Sequence, residues 1–225
     1  MALYQLKPWS QSRALIVNDD GIDAEGIKVL EELARNIFSE VVVVAPAEEQ
    51  SGMGAAISHN KKFKVHQRDK SHYAVEGTPA DCSIIGLNMV MKDNPPDVIL
   101  SGINSGGNVG NCIPHSGTFS GALVGGFSGI PSIALSQHYS SKDQIDFSLS
   151  RKYFAQVMDF LQTAKWPDHV VMNANFPARD AHLQHKPHHV PLKNMRVIKG
   201  VNAHALDDGS QHYSIKFDLG SHSGN

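Results

Sequence analysis

A chain of 225 residues with 41% hydrophobic and 19% charged residues has an ordinary globular composition, and at this length folding buries roughly 70 to 75% of the unfolded surface. A formal charge of −2 and a pI near 6.7 speak against a general nucleic-acid binder, and no apolar run is long enough to span a bilayer. Residues 1–13 read as an N-terminal extension without the apolar stretch of a secretory signal, so the expected compartment is the cytoplasm, with Cys82 and Cys112 as reduced thiols.

Leu15, Ile16 and Val17 read as a strand buried on both faces, running straight into Asn18-Asp19-Asp20-Gly21. That tetrapeptide is turn chemistry, but it also places two carboxylates at a strand end. Ile27, Leu30, Leu33, Ala34 and Ile37 then recur at helical spacing, predicting a helix over about Ala24 to Asn36. Val41 to Val44 supplies a second buried strand, and the resulting βαβ unit is right-handed and parallel. The segment 45–52, which includes Ser51, therefore falls beside Asp19 and Asp20.

Residues 63–66 and 72–75 predict an antiparallel excursion from the main sheet. Thr78 as N-cap, Pro79 at the first helical position and Asp81 at the positive end start a helix running to about Met91. Val98 to Leu100 is a third buried strand, followed by Ser101 to Gly110, a loop whose four glycines and two asparagines suit close backbone approach to a ligand. His115-Ser116-Gly117-Thr118 precedes a small-residue helix over Phe119 to Ser128. Free N–H groups, two hydroxyls and the helix dipole make that first turn suited to phosphate. Ile130 to Leu135 and Val170 to Asn173 predict a fourth and fifth strand around an amphipathic helix over Phe147 to Ala164. After Pro177 the pattern decays: His182, His185, His188 and His189 read as a solvated loop, Val197-Ile198 and His212 to Phe217 as a late hairpin, and 220–225 as frayed.

The expected fold class is thus α/β, a Rossmann-like three-layer sandwich with a mostly parallel central sheet and an antiparallel C-terminal excursion. No linker divides it: 14–178 is the expected catalytic core and 179–225 an irregular segment of the same domain. Ligands of such sheets bind outside the carboxyl ends of the strands, where three loops here carry only oxygen donors. Asp19 and Asp20 give carboxylates, Ser51 a hydroxyl and Asn104 an amide oxygen, a hard set favouring one divalent cation, Mg²⁺, Mn²⁺ or Ca²⁺, over zinc.

Val-Asn-Asp-Asp-Gly-Ile at 17–22, Val-Ala-Pro with Glu-Gln-Ser-Gly at 44–52, Gly-Thr-Pro-Ala-Asp-Cys at 77–82, Ser-Gly-Ile-Asn at 101–104 with Asn108, and His-Ser-Gly-Thr at 115–118 together resemble the SurE family over about residues 14–177. The resemblance implies a cytoplasmic, metal-dependent 5′/3′-nucleotidase acting on nucleoside monophosphates, sometimes also on short polyphosphate or as an exonuclease, and assembled as a homodimer or homotetramer. It implies Asp19, Asp20, Ser51 and Asn104 as metal ligands and Ser116, Gly117 and Thr118 as the phosphate-holding segment. Ser105 stands where many relatives carry Arg, Met53-Gly54-Ala55-Ala56 replaces a more hydroxyl-rich run, and the relatives' Ser-Ile-Thr-Pro strand is not found in this chain.

The expected mechanism is direct, in-line attack by a metal-activated water, with Asp20 or Asp19 as ligand and base and with Asn108 and the 116–118 amides steadying the phosphate oxygens. No membrane association and no stable nucleic-acid complex are expected. The rival from another class is a receiver-like phospho-accepting switch, which needs an Asp where Asn104 stands; a catalytically weak nucleotide-binding protein is the other. An aspartyl-nucleophile phosphatase wants Asp-x-Asp, and a dinucleotide module wants G-x-G-x-x-G after the first strand; both are absent.

Overall fold

Alternation along the first strand sets the layers. In the computed structural model, which describes residues 2–139, 145–178, 187–190, 192, 198–205 and 210–217, β1 (Arg13–Val17) is buried from Ala14 onward. Ala14 and Ile16 join a cluster with Ile27, Leu30, Phe154 and Met158, whereas Leu15 and Val17 join one with Val42, Val44, Cys82 and Ile99. Successive residues of a strand point to opposite faces, so an apolar run of this kind needs a helical layer on each side. Helices α1 (Glu25–Arg35) and α4 (Ser148–Thr163) cover the first face. Helices α2 (Pro79–Ile85) and α3 (Gly117–Phe127) cover the second: Cys82 joins the Leu15 cluster, and Gly121 and Gly125 lie against Val17 and Ile99.

The remaining core strands are β2 (Glu40–Pro46), β3 (Val65–Gln67), β4 (His72–Val75), β5 (Val98–Ser105), β6 (Ser132–Gln137) and β7 (Val171–Phe176), arranged β3-β4-β2-β1-β5-β6-β7. All neighbours are parallel except the edge pair β3–β4. The α/β expectation holds, and β4 is integrated further than an excursion, pairing Val43 with His72 through Pro46 with Val75. A separate antiparallel pair, β8 (Ile198–Ala205) and β9 (Gln211–Phe217), gives the late hairpin, longer on its first strand than the sequence suggests. Strand order reverses about β1, with β2 on one side and β5 on the other, so the crevice between the carboxyl ends of β1 and β5 is the ligand position of an open sheet.

Several boundaries differ from expectation for identifiable reasons. Helix α2 stops at Ile85 and continues as a π turn over Gly86–Val90, where Gly86 lies so close to Leu15 that a Cβ would come within 2.5 Å of it. The Thr78 and Asp81 capping box is present as expected. Strand β5 runs five residues past Leu100, with a register shift between Ser101 and Asn104 on β6. Gly102 makes this continuation, with φ at +139° and Leu135 O 2.3 Å from where a Cβ would stand. Residues 2–12 are tied to the fold: Leu3 bridges to Pro167, and buried Trp9 packs at a tilt against Phe38 and donates Nε1–H to Met158 O at 3.0 Å. His182, His185 and 220–225 lie outside the described residues, while the His189 ring sits 5.4 Å from Phe160.

The β3–β4 edge is fastened to α1 by His72, whose ring nitrogens contact Glu31 at 3.0 Å and Asp69 at 2.8 Å, while Arg68 pairs with Asp23. These pairs rim a cavity of about 240 Å³ floored by Ile22, Ile27 and Val43, apart from Asp19 and Asp20. Burial opposes the charged imidazole, but the Glu31 and Asp69 carboxylates outweigh it and raise the His72 pKa above its ordinary value. A raised folded-state pKa gives stability that is complete below the unfolded value and lost as pH rises through the folded one. His72→Gln is therefore expected to lower Tm at about pH 5.5 and to match the parent chain at about pH 9; an equal deficit at both would remove the charged clasp.

Candidate active site

The end of β1 is closed by Asn18, whose Nδ2 donates to Gly21 O at 2.8 Å. Gly21, at φ +98°, lets the chain turn against the Glu48 and Glu49 backbone. Ile22 N–H to Pro46 O at 2.9 Å and Gln50 N–H to Asp19 O at 2.7 Å then tie the β1–α1 loop to the segment after β2. Ser51 follows Gln50 directly and is exposed. The far end of its segment is held by α2: Thr78 Oγ1 donates to Ala56 O at 2.7 Å and Asp81 Oδ1 accepts from Ser58 N at 2.9 Å.

Asp19 is 4% exposed and faces the start of α3. The Thr118 hydroxyl donates to Asp19 Oδ1 at 2.7 Å, and the Thr118 amide also bonds this carboxylate. Gly117 has no room for a side chain, since a Cβ there would lie 2.7 Å from Asp19 Cβ and 2.8 Å from Oδ2. The helix begins at Gly117, two residues earlier than expected, with Ser116 Oγ accepting Phe119 N–H at 3.0 Å as N-cap. Much of this helix N-terminus is thus turned on Asp19 itself. The Gly117 N–H makes no hydrogen bond among the described residues.

Asp20, half-buried, accepts the Ser105 N–H at 3.3 Å, bringing it to the end of β5 beside Asn104. Asn104 donates Nδ2–H to Gly106 O at 2.6 Å, which leaves its Oδ1 as the available acceptor. Asn108 is 8% exposed and donates both amide hydrogens inside the protein, to Ser136 Oγ at 3.0 Å and Thr118 Oγ1 at 3.3 Å. Asn104 and Asn108 therefore sit in the same glycine-rich stretch but present different atoms.

Burial pushes the Asp19 carboxyl up, against the lowering effect of the Thr118 bonds. Burial and then the neighbouring Asp19 charge push Asp20 up to about 7, with Ser105 N–H opposing and Glu49 adding to the rise. Among the described residues no basic side chain compensates either group. A buried and a half-buried carboxylate, with no cationic partner among the described residues, form a site short of positive charge. Glu49 acts on both through its charge, but among the described residues no third carboxylate, imidazole or thiol completes a metal-holding group with them. The nearby donors are neutral oxygens, so the set fits a hard divalent cation with open positions.

Residues 14–202 match the family described as Survival protein SurE. The chain belongs to the SurE family. Similar curated relatives are "5′-nucleotidase SurE 1" of Burkholderia lata, 41% identical over 169 residues, and "5′-nucleotidase SurE" of Wolbachia pipientis subsp. Culex pipiens, 45% identical over 168. These matches take in 75% and 74% of this chain but 65% and 64% of the relatives, so the chain matches just under two thirds of their length. The crystal structure of the SurE protein from Aquifex aeolicus superposes with a TM-score of 0.76 at 33% identity, covering 94% of this chain and 86% of that one.

Within this SurE fold, sequence reasoning overlooked Ser136, Asn173 and Asn175, which surround Asn108. The available signal was Asn173-Ala174-Asn175: a period of two in a strand puts both amides on one face. Glu49 was also missed as the acidic neighbour of Asp19 and Asp20. The asparagine at position 104 and the length of the chain disfavour a receiver-like switch.

Proposed function

We propose that this SurE-family chain is a metal-dependent phosphomonoesterase that releases phosphate from nucleoside 5′-monophosphates, and from 3′-monophosphates, by direct attack of water. The carrying observation is the adjacent Asp19–Asp20 pair, the first buried and the second half-buried, without a basic partner among the described residues and facing a helix start and a neutral amide oxygen. The names of the curated relatives support the substrate class.

Asp19, Asp20, Ser51 and Asn104 would hold one divalent ion, Mg²⁺, Mn²⁺ or Ca²⁺. When bound, such an ion neutralises the pair and polarises the phosphoryl group. The Ser116 hydroxyl and Gly117 amide hold phosphate oxygens at the positive end of α3, while Thr118 keeps Asp19 in place. Asp20, at the rim, would take the proton of the attacking water as the bond from phosphorus to the nucleoside oxygen breaks on the opposite side and that oxygen takes a proton from solvent, so no covalent intermediate is needed. Asn108 and Thr118, expected on the phosphate, instead donate their side-chain hydrogens within the protein, Asn108 to Ser136 and Thr118 and Thr118 to Asp19, and so support this arrangement from behind.

Residues 14–178 serve as the catalytic core. The β8–β9 hairpin supports assembly into a homodimer or homotetramer: Val201 lies opposite Ile215 and Ala203 opposite Tyr213, and Val201, Ile215 and Tyr213 are 62%, 59% and 67% exposed. A two-stranded sheet is marginal alone and gains from covering such a face. Among the described residues no helix is long and apolar enough to cross a membrane, and we place the enzyme in the cytoplasm.

Purified protein assayed against a panel of nucleoside monophosphates with Mg²⁺, Mn²⁺ and Ca²⁺ is expected to release phosphate only with a divalent ion. Nucleotide binding without turnover under all three ions would replace the enzyme reading with that of a binding protein.

A further inference from the structure

Asn108 is fastened to β7 through its own backbone. Asn175 spans it as a neighbouring strand would, with Oδ1 accepting Asn108 N–H at 2.8 Å and Nδ2 donating to Asn108 O at 3.1 Å. Asn173 Nδ2 adds a second donor to the same carbonyl at 2.8 Å. Three side-chain hydrogen bonds thus fix one residue of a glycine-rich stretch. Ser136 pairs with Asn175 in the sheet and accepts one Asn108 amide hydrogen.

The direction of these bonds is informative. Asn108 Nδ2–H donates to the Thr118 hydroxyl oxygen. A hydroxyl carries a single hydrogen, so Thr118 must send its own elsewhere, and it goes to Asp19 Oδ1. Bonds in both directions fix the Asn108 backbone to β7, and from its side chain the donors run through Thr118 and terminate on the carboxylate. Oδ1 takes the Thr118 hydroxyl hydrogen, while Oδ2 faces Gly117.

We infer that Asn173 and Asn175 are positioning residues of the Asp19 site, holding Asn108 so that its side chain directs the Thr118 hydroxyl onto Asp19. This rests on reading Asp19 as a metal ligand. Outer partners that orient a ligand typically change metal affinity by 10- to 100-fold when removed, whereas a simple loop staple changes only stability.

Free Mn²⁺ measured by electron paramagnetic resonance, with Tm recorded in parallel, separates the two. Asn175→Ala and Thr118→Val are each expected to weaken Mn²⁺ binding about tenfold. The double variant should bind no more weakly than Thr118→Val alone, because both act on the same proton. Thr118→Ser should restore the affinity. A lowered Tm with unchanged Mn²⁺ affinity in Asn175→Ala, or fully additive losses in the double variant, would overturn the inference. If Asn175→Ala does not fold, Asn173→Ala removes one donor and leaves the Asn175 pair; it is expected to weaken Mn²⁺ binding about threefold, and unchanged affinity would again overturn the inference. Asp19→Asn is the control: loss of Mn²⁺ there with normal binding in both asparagine variants rejects only the positioning role. Normal binding in Asp19→Asn rejects the site reading and the inference together.

Discussion

Asp19→Asn is expected to lower metal-dependent phosphate release by at least about a thousandfold, equivalent to roughly 4 kcal/mol of transition-state stabilisation, with the far-UV circular dichroism unchanged. The substitution preserves shape, and an amide oxygen still accepts from Thr118, so the packing around Gly117 survives. What disappears is the negative charge, in a buried place where charge counts most. Turnover at the parent level would show that the carboxylate at the end of β1 is not the centre of the chemistry.

The second large effect concerns the metal-free protein. Asp20 has its pKa raised by burial and by Asp19, so relative to the unfolded chain its contribution is favourable at low pH and is lost as pH rises through about 7. At about pH 8 the folded state carries this penalty in full, at most about 4 kcal/mol. Asp20→Asn should therefore raise the Tm of metal-free protein at that pH by about 3 to 10 °C, with the gain shrinking as pH falls towards about 4. Saturating Mn²⁺ should reverse the ranking, stabilising the parent chain and leaving the variant nearly unmoved. Equal thermal shifts in both proteins would detach Asp20 from the ion.

Much of this arrangement is readable in the residues because strand burial and carboxylate placement are local. Leu15, Ile16 and Val17 admit only a strand with helices on both sides, and the loop after that strand must lie at the ligand edge. The start of α3 was less legible, because Gly117 and Thr118 have low helix propensity and their reason for being helical is Asp19, 98 residues earlier in the chain for Gly117. The extension of β5 through Gly102 was hidden for a similar reason: glycine reads as loop until a close approach to Leu135 O is seen. The period-two spacing of Asn173 and Asn175 puts both amides on one face but does not name their partner, the Asn108 backbone 65 and 67 residues earlier. The four expected oxygen donors follow from loop chemistry, but the bonds that join their loops, Gln50 N–H to Asp19 O and Ser105 N–H to Asp20, are made by backbone amides that no residue pattern marks.

The fastening of the Ser51 segment separates two properties that enzymes commonly alter together. Its anchors lie outside the stretch that meets solvent: Gln50 grips the Asp19 carbonyl on one side, and Thr78 and Asp81 grip Ala56 and Ser58 on the other. Met53 and Ala55 between them are exposed, so side chains there can be exchanged while the clamps stay fixed. Under the proposed function, exchanges at Met53 and Ala55 are expected to leave the hold on the Asp19 loop intact.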